Sequence, residues 1–309
     1  MAAWLHEAQY SLVVFTVLIQ LAVGGLWVLV AADLRPVSAP DASGARPARL
    51  GSLLLVSAAA LGLLFSTTHL GRPMLAVRAL RHWESSWMSR ETWATGLFFG
   101  LIALYTLLSW WRPGAAGARR SIGALGAVAG AAAIVTQAMI YLIPGRPMWN
   151  HWSTAALFFG TALTLGPLAM AALQGGAGGG RSRLAIGILA GSALYGAGLA
   201  ARLSYLSSGA AAALATPGAA GKAAVGAETV KTALLTGYQV VAANGTLLGL
   251  EIALAIGAPA AAGAALWLLG RRNGSLRLAR GLAACGAALA LLGHLAGRAL
   301  FYLSGQPWF

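Results

Sequence analysis

"QYSLVVFTVLIQLAVGGLWVLVAA", residues Gln9–Ala32, contains no charged side chain. At about 1.5 Å per residue a helix of this length reaches about 36 Å, enough to cross the roughly 30 Å hydrocarbon core of a bilayer. The first basic residue in the chain is Arg35. The run therefore lacks the basic leading region of a cleaved signal peptide and reads as a retained membrane helix.

The rest of the chain repeats this pattern. Hydrophobic residues make up 59% of the 309 and charged residues 9%, against about 25% charged in soluble domains. Further segments long enough to span lie at 50–68, 92–111, 121–143, 153–173, 184–203, 242–269 and 278–303. With 9–32 they predict an all-α, polytopic membrane protein: one integral domain over residues 1–309, built as a bundle of eight transmembrane helices. The net charge of +14 is spread over the ends of the apolar segments. That distribution is topogenic, and it points to a lipid bilayer as partner and away from nucleic acid. The single cysteine, Cys285, excludes an iron–sulfur cluster, a Cys-rich zinc site or a disulfide within the chain.

Connections after the odd-numbered segments carry twelve Arg and Lys, and the longer opposite connections carry seven. The positive-inside bias then places both termini on the non-cytoplasmic side of the cytoplasmic (inner) membrane. On that side the phrase "GRPM" ends two apolar stretches, at Gly71–Met74 and Gly145–Met148, and "SGQPWF" ends the last. Glycine closes a helix, proline forbids its continuation, and the Met or Trp is expected in the interface. All five histidines (His6, His69, His82, His151 and His294) fall on this face or in its half of the bundle, as do Glu7, Glu84, Glu91, Glu228 and Glu251.

Within the connection His69–Glu91, Leu80, Trp83 and Trp87 recur at helical spacing, which predicts a short amphipathic interfacial helix, its tryptophans forming an aromatic belt. Arg78, Arg81 and Arg90 are candidates for docking a partner, with a solvated or lipid-facing role as the alternative for each. Ser204–Ala243 is rich in Ala and Gly; Val225–Leu235 is a candidate helical cover, with unstructured filler as the alternative. His69 and Glu91 face each other across one connection at the membrane boundary. A quinol needs an acceptor for each hydroxyl proton beside an apolar slot, and a histidine and a carboxylate supply both. The plainer reading has Glu91 complementing the N-terminal dipole of its helix. Glu251 and His294 each lie about nine residues, roughly 13 Å, from the same end of neighbouring helices. A buried carboxylate requires a partner, and His294 and Arg298, one turn apart, compete for it. A structural clamp and a proton path or second wall of a quinone pocket both fit that placement.

"HEAQYSLVVFTVLIQLAVGGLWVL", "THLGRPMLAVRAL", "SRETWATGLFF" and "GHLAGRALFY" resemble the membrane anchor subunit of the dimethyl sulfoxide reductase family (DmsC-like, NrfD-related). The resemblance covers the first three helices and the last. It implies an eight-helix subunit that oxidises menaquinol and passes electrons to a four-cluster iron–sulfur subunit, itself supporting a molybdopterin catalytic subunit. His69, Gly71 and Glu91 fall on the family's quinol-site motif. Arg72 stands beside them, where the family varies. No haem, cluster or metal is expected in this chain; iron–sulfur clusters and molybdopterin are expected in the partner subunits. The same anchor running in reverse, as a quinone reductase for a substrate-oxidising complex, is an alternative. A haem b anchor would need facing axial ligands, of which only His294 lies deep in a helix. A transporter would need matched broken helices at the midplane.

Overall fold

The structure is a computed structural model and describes residues 9–34, 42–68, 77–78, 80–174, 180–215, 222–272 and 274–305. His6, Glu7, His69, Gly71 and Arg72 lie outside the described residues.

Ten α-helices and one π-helical segment occur among the described residues, and no strand. They are α1 (Tyr10–Asp33), α2 (Ala42–Thr68), α3 (Trp87–Trp111), α4 (Ala116–Tyr141), α5 (Ser153–Gln174), α6 (Gly180–Ala215), α7 (Lys222–Ala243), α8 (Gly245–Leu250), the π segment (Glu251–Gly257), α9 (Ala258–Arg271) and α10 (Leu276–Ser304). Eight helical stretches are long and apolar enough to cross a membrane, with α8, the π segment and α9 together forming the seventh. The expected eight-helix bundle is therefore present. An even number of spans puts Tyr10 and Ser304 at one end, which also holds Glu91. Asp33 and Arg183 lie at the other.

Helices α1 and α5 form the centre, and α1 packs on α2, α4, α5 and α10. Small residues bring α1 and α5 together: a Cβ on Gly166 would run into the Gly24 backbone, and one on Gly24 into the Ala162 carbonyl. Such contact is the packing that drives helix association where lipid is as apolar as the side chains. At the Asp33 end the Asp33 carboxylate accepts from the Tyr105 hydroxyl (2.7 Å) and from Arg119 Nε (2.8 Å), joining α1, α3 and α4.

Four expectations change. Residues 204–243 are largely helical rather than featureless: α6 continues to Ala215, and α7 spans Lys222–Ala243, longer than the candidate cover. The α7 helix lies against α6 and the Glu91 end, with Leu234 over Gly209 and Gly237 over Met148. An Ala-rich extension of an existing helix needs no new nucleus, which explains order without an apolar stripe. No regular helix forms over Leu80–Trp87; Arg81–Ser85 is a turn, and Trp87 opens α3. Arg90 holds that turn by donating to the Trp83 and Glu84 carbonyls. The seventh span is interrupted by the π segment just before Pro259, which cannot donate to the Ala255 carbonyl. Finally, Met148 and Trp149 are buried and do not lie in the interface. Arg146 donates to the Gly305 carbonyl and the Trp149 indole to the Phe301 carbonyl (2.8 Å), so the second copy of the phrase docks on the end of α10; Met74 and Trp308, in the first and third copies, lie outside the described residues.

Candidate functional site

Glu91 is the fifth residue of α3, whose N-cap is Ser86. A carboxylate that complements the helix dipole sits in the first turn, so the plainer reading of Glu91 is displaced. Its half-buried carboxyl lies beside the Gln137 amide of α4. Tyr141 and Tyr302 are in the same neighbourhood, with their hydroxyls 2.6 Å apart, and Phe301, Trp149 and Phe158 pack edge-on to Tyr141 or flat on one another. At this end of the bundle a carboxyl thus stands near a cluster of buried aromatic rings.

From Glu91 a line of buried polar side chains leads inward. Gln20 Nε2 on α1 donates to Gln137 Oε1 (3.1 Å), and Arg298 Nη2 on α10 donates to Gln20 Oε1 (2.9 Å). The Arg298 guanidinium lies 3.7 Å from the ring centre of Phe158, and is 4% exposed. An aromatic face and an amide oxygen satisfy a buried cation without a carboxylate in direct contact. Four residues further along α10, about 6 Å deeper, is His294, sharing a 3.3 Å contact between Nδ1 and Thr161 Oγ1 of α5.

Glu251 is buried beside it, on the π segment. Its Oε1 accepts from the Tyr195 hydroxyl of α6 at 2.7 Å, and the Tyr195 ring meets the His294 ring edge-on at 4.5 Å. Helix α10 accommodates this with glycine: a Cβ on Gly293 would strike the π-segment backbone, and one on Gly297 the Glu251 carboxyl and the Tyr195 hydroxyl. Arg298 and Arg202 are within electrostatic reach of Glu251. Arg202 itself donates to Ser304 Oγ and lies over Phe301. Four of the atoms in this region have no hydrogen-bond partner: Glu251 Oε2, His294 Nε2, Gln137 Nε2 and Arg202 Nε. His151, outside the spans, stacks on Tyr205 at 4.6 Å, and burial lowers its pKa below the ordinary histidine value.

The expected gathering of Glu251, His294 and Arg298 is thus present, but the pairing differs. Glu251 takes its hydrogen bond from Tyr195, and Arg298 gives one to Gln20. Tyr195, Gln20, Gln137 and Thr161 were not singled out from the sequence. The available signal was a long polar side chain inside an apolar span, which in a membrane marks a buried network.

Residues 1–303 match the protein family described as DMSO reductase anchor subunit (DmsC). Anaerobic dimethyl sulfoxide reductase chain YnfH of Escherichia coli (strain K12) is 30% identical over 170 residues, 53% of this chain and 57% of the relative. The C subunit of the sulfite dehydrogenase of Allochromatium vinosum is 35% identical over 102 residues, 30% of this chain and 31% of the relative. The aligned part covers about half of the first relative and a third of the second. No solved structure matches significantly. A family match over nearly the whole length, on a chain with eight helices apolar enough to span a membrane, makes this protein a member of the DMSO reductase anchor subunit family.

Proposed function

We propose that the chain is the quinol-oxidising membrane anchor of a molybdopterin and iron–sulfur oxidoreductase. The observation that carries this reading is the Glu91 carboxyl, half-buried at one end of the bundle and continuous with buried polar side chains behind it. Oxidation of menaquinol to menaquinone breaks two O–H bonds and releases two electrons and two protons. Glu91 accepts one proton and His69, across the same connection, accepts the other. Gly71 and Arg72, next to His69 in sequence, are assigned to quinol binding with it. Electrons leave at the Glu91 end to a four-cluster iron–sulfur subunit, which passes them to a molybdopterin catalytic subunit. The twelve-to-seven distribution of basic residues supports placing this end on the non-cytoplasmic face of the inner membrane. Similarity to a component of a sulfite dehydrogenase favours one further reading, the same site run in reverse as a quinone reductase.

The test is quinol-dependent turnover of the assembled complex. His69→Ala and Glu91→Gln are expected to abolish it while assembly with the iron–sulfur subunit persists. Normal turnover in both variants would refute the assignment.

A further inference from the structure

The polar line does not stop at His294. Thr161 Oγ1, its neighbour, is one turn along α5 from Thr164, about 4.5 Å nearer the Asp33 end. Thr164 is buried, and its Oγ1 has no hydrogen-bond partner. The residue before it, Leu163, lines a cavity of about 350 Å³ between α1, α5 and α6. This cavity reaches inward to Gly24 and Gly187 and outward to Gln174 and Arg183 at the Asp33 end. Pro167, also in its wall, has no N–H for the Leu163 carbonyl four residues back, so the cavity's inner end includes a carbonyl without its usual helical donor.

Buried polar groups therefore recur from the Glu91 end as far as Thr164, and the cavity, reached at the neighbouring Leu163, continues toward the Asp33 end. From the Glu91 end they run Glu91, Gln137, Gln20, Arg298, the pair Glu251 and His294, Thr161, Thr164, and then the cavity. A bundle needing only stability has no use for this series, because each buried polar atom without a partner costs about 1–3 kcal/mol. Buried polar atoms of this kind are the sites where ordered water binds. Glu251 and His294 can each hold and release a proton, and the carboxyl and imidazole have one such atom apiece, Oε2 and Nε2. Arg298 and Arg202 provide fixed positive charge beside them, which disfavours a freely moving hydronium and makes protons pass through the two titratable side chains.

Resting on the quinol reading above, we propose that this series is a proton relay joining the site at the Glu91 end to the cavity at the Arg183 end. The O–H bonds of quinol break at Glu91. The electrons leave to the iron–sulfur subunit on that face. Protons accepted by Glu91 pass by way of Glu251 and His294 to the opposite face, so that quinol oxidation displaces charge across the membrane.

The experiment uses the chain assembled with its partner subunits in potassium-loaded liposomes containing valinomycin, menaquinol-4 as donor and a trapped pH dye. Ferricyanide outside serves as acceptor, selecting complexes whose Glu91 end faces outward, and protein-free liposomes supply the blank. The lumen is expected to acidify in step with ferricyanide reduction. Glu251→Gln is expected to lower acidification per electron about tenfold or more. Gly187→Leu, which fills the cavity without touching the buried cluster, is expected to do the same and stands in if Glu251→Gln fails to assemble. Quinol oxidation with no lumenal acidification, or with the same acidification per electron in both variants, would overturn the relay and leave the quinol site standing. A wild-type complex that fails to oxidise menaquinol would overturn the functional reading and the relay with it.

Discussion

Replacing Tyr195 by Phe removes one hydroxyl and nothing else, yet it strikes the point where three helical elements meet. That hydroxyl is the donor to Glu251 Oε1 at 2.7 Å, and Oε2 already has none. The variant leaves a carboxyl at 1% exposure with no hydrogen-bond donor. Interhelical hydrogen bonds in membranes average about 0.6 kcal/mol and reach about 1.7, whereas bonds to charged groups in soluble proteins contribute about 1.5–3 kcal/mol. A short bond to a carboxyl with no alternative donor belongs at the top of the membrane range, so Tyr195→Phe is expected to cost about 1.5 kcal/mol. In a Glu251→Leu background the same change removes an unpaired hydroxyl and is expected to be neutral or slightly stabilising. The coupling is measured by equilibrium unfolding in mixed detergent micelles over the four-member cycle. A coupling energy below about 0.5 kcal/mol would show that the bond does not hold the cluster together.

Other perturbations probe the frame around it. Gly166→Ala places a Cβ against the Gly24 backbone and is expected to destabilise by about 1–3 kcal/mol, read as lost thermal stability in detergent. Asp33→Ala removes the acceptor of both Tyr105 and Arg119 and is expected to cost about 1–3 kcal/mol by the same measurement, without altering quinol turnover. His151 has a lowered pKa in the folded chain, so the unfolded chain binds the proton more tightly. Its neutral form is favoured by folding, and stability is expected to fall as pH drops below the ordinary histidine value near 6.5. His151→Gln should remove that component of the pH dependence, on top of a pH-independent loss from the missing stack on Tyr205; pH profiles of the same shape in both proteins would show that His151 does not contribute.

The spans could be read directly because a bilayer demands about twenty apolar residues in a row, and the chain supplies them eight times. Depth along a helix was also legible. Glu251 and His294, placed by the sequence at similar depth on neighbouring helices, both touch the Tyr195 side chain. What the chain does not spell out is rotation. Whether Glu251 turns to His294, Arg298 or Tyr195 depends on where α6 sits around α10, which follows from Gly297 and Gly293 admitting the π segment and the Tyr195 ring at close range. Gln20 escaped notice for the same reason: within an apolar run nothing distinguishes a side chain facing lipid from one facing Arg298.

The interruption of the seventh span ties these points together. An α-helix through Glu251 would keep its regular rotation of about 100° per residue, whereas a π turn holds an additional residue and re-aims the side chains on one side of it. Pro259, two residues beyond the segment, makes the wider turn less costly because the Ala255 carbonyl has no α-helical donor to lose. The same device recurs on α5, where Pro167 leaves the Leu163 carbonyl without its α-helical donor at the inner end of the cavity. Both prolines thus loosen backbone within a span, where an exposed carbonyl is expensive unless something polar meets it. Pro259 follows the π segment that carries Glu251, and Pro167 lines the cavity. The two loosened helices flank α10, so the places where the backbone gives up helical bonds coincide with the two ends of the inner polar series. The placement of the prolines follows the line along which polar contact crosses the bundle.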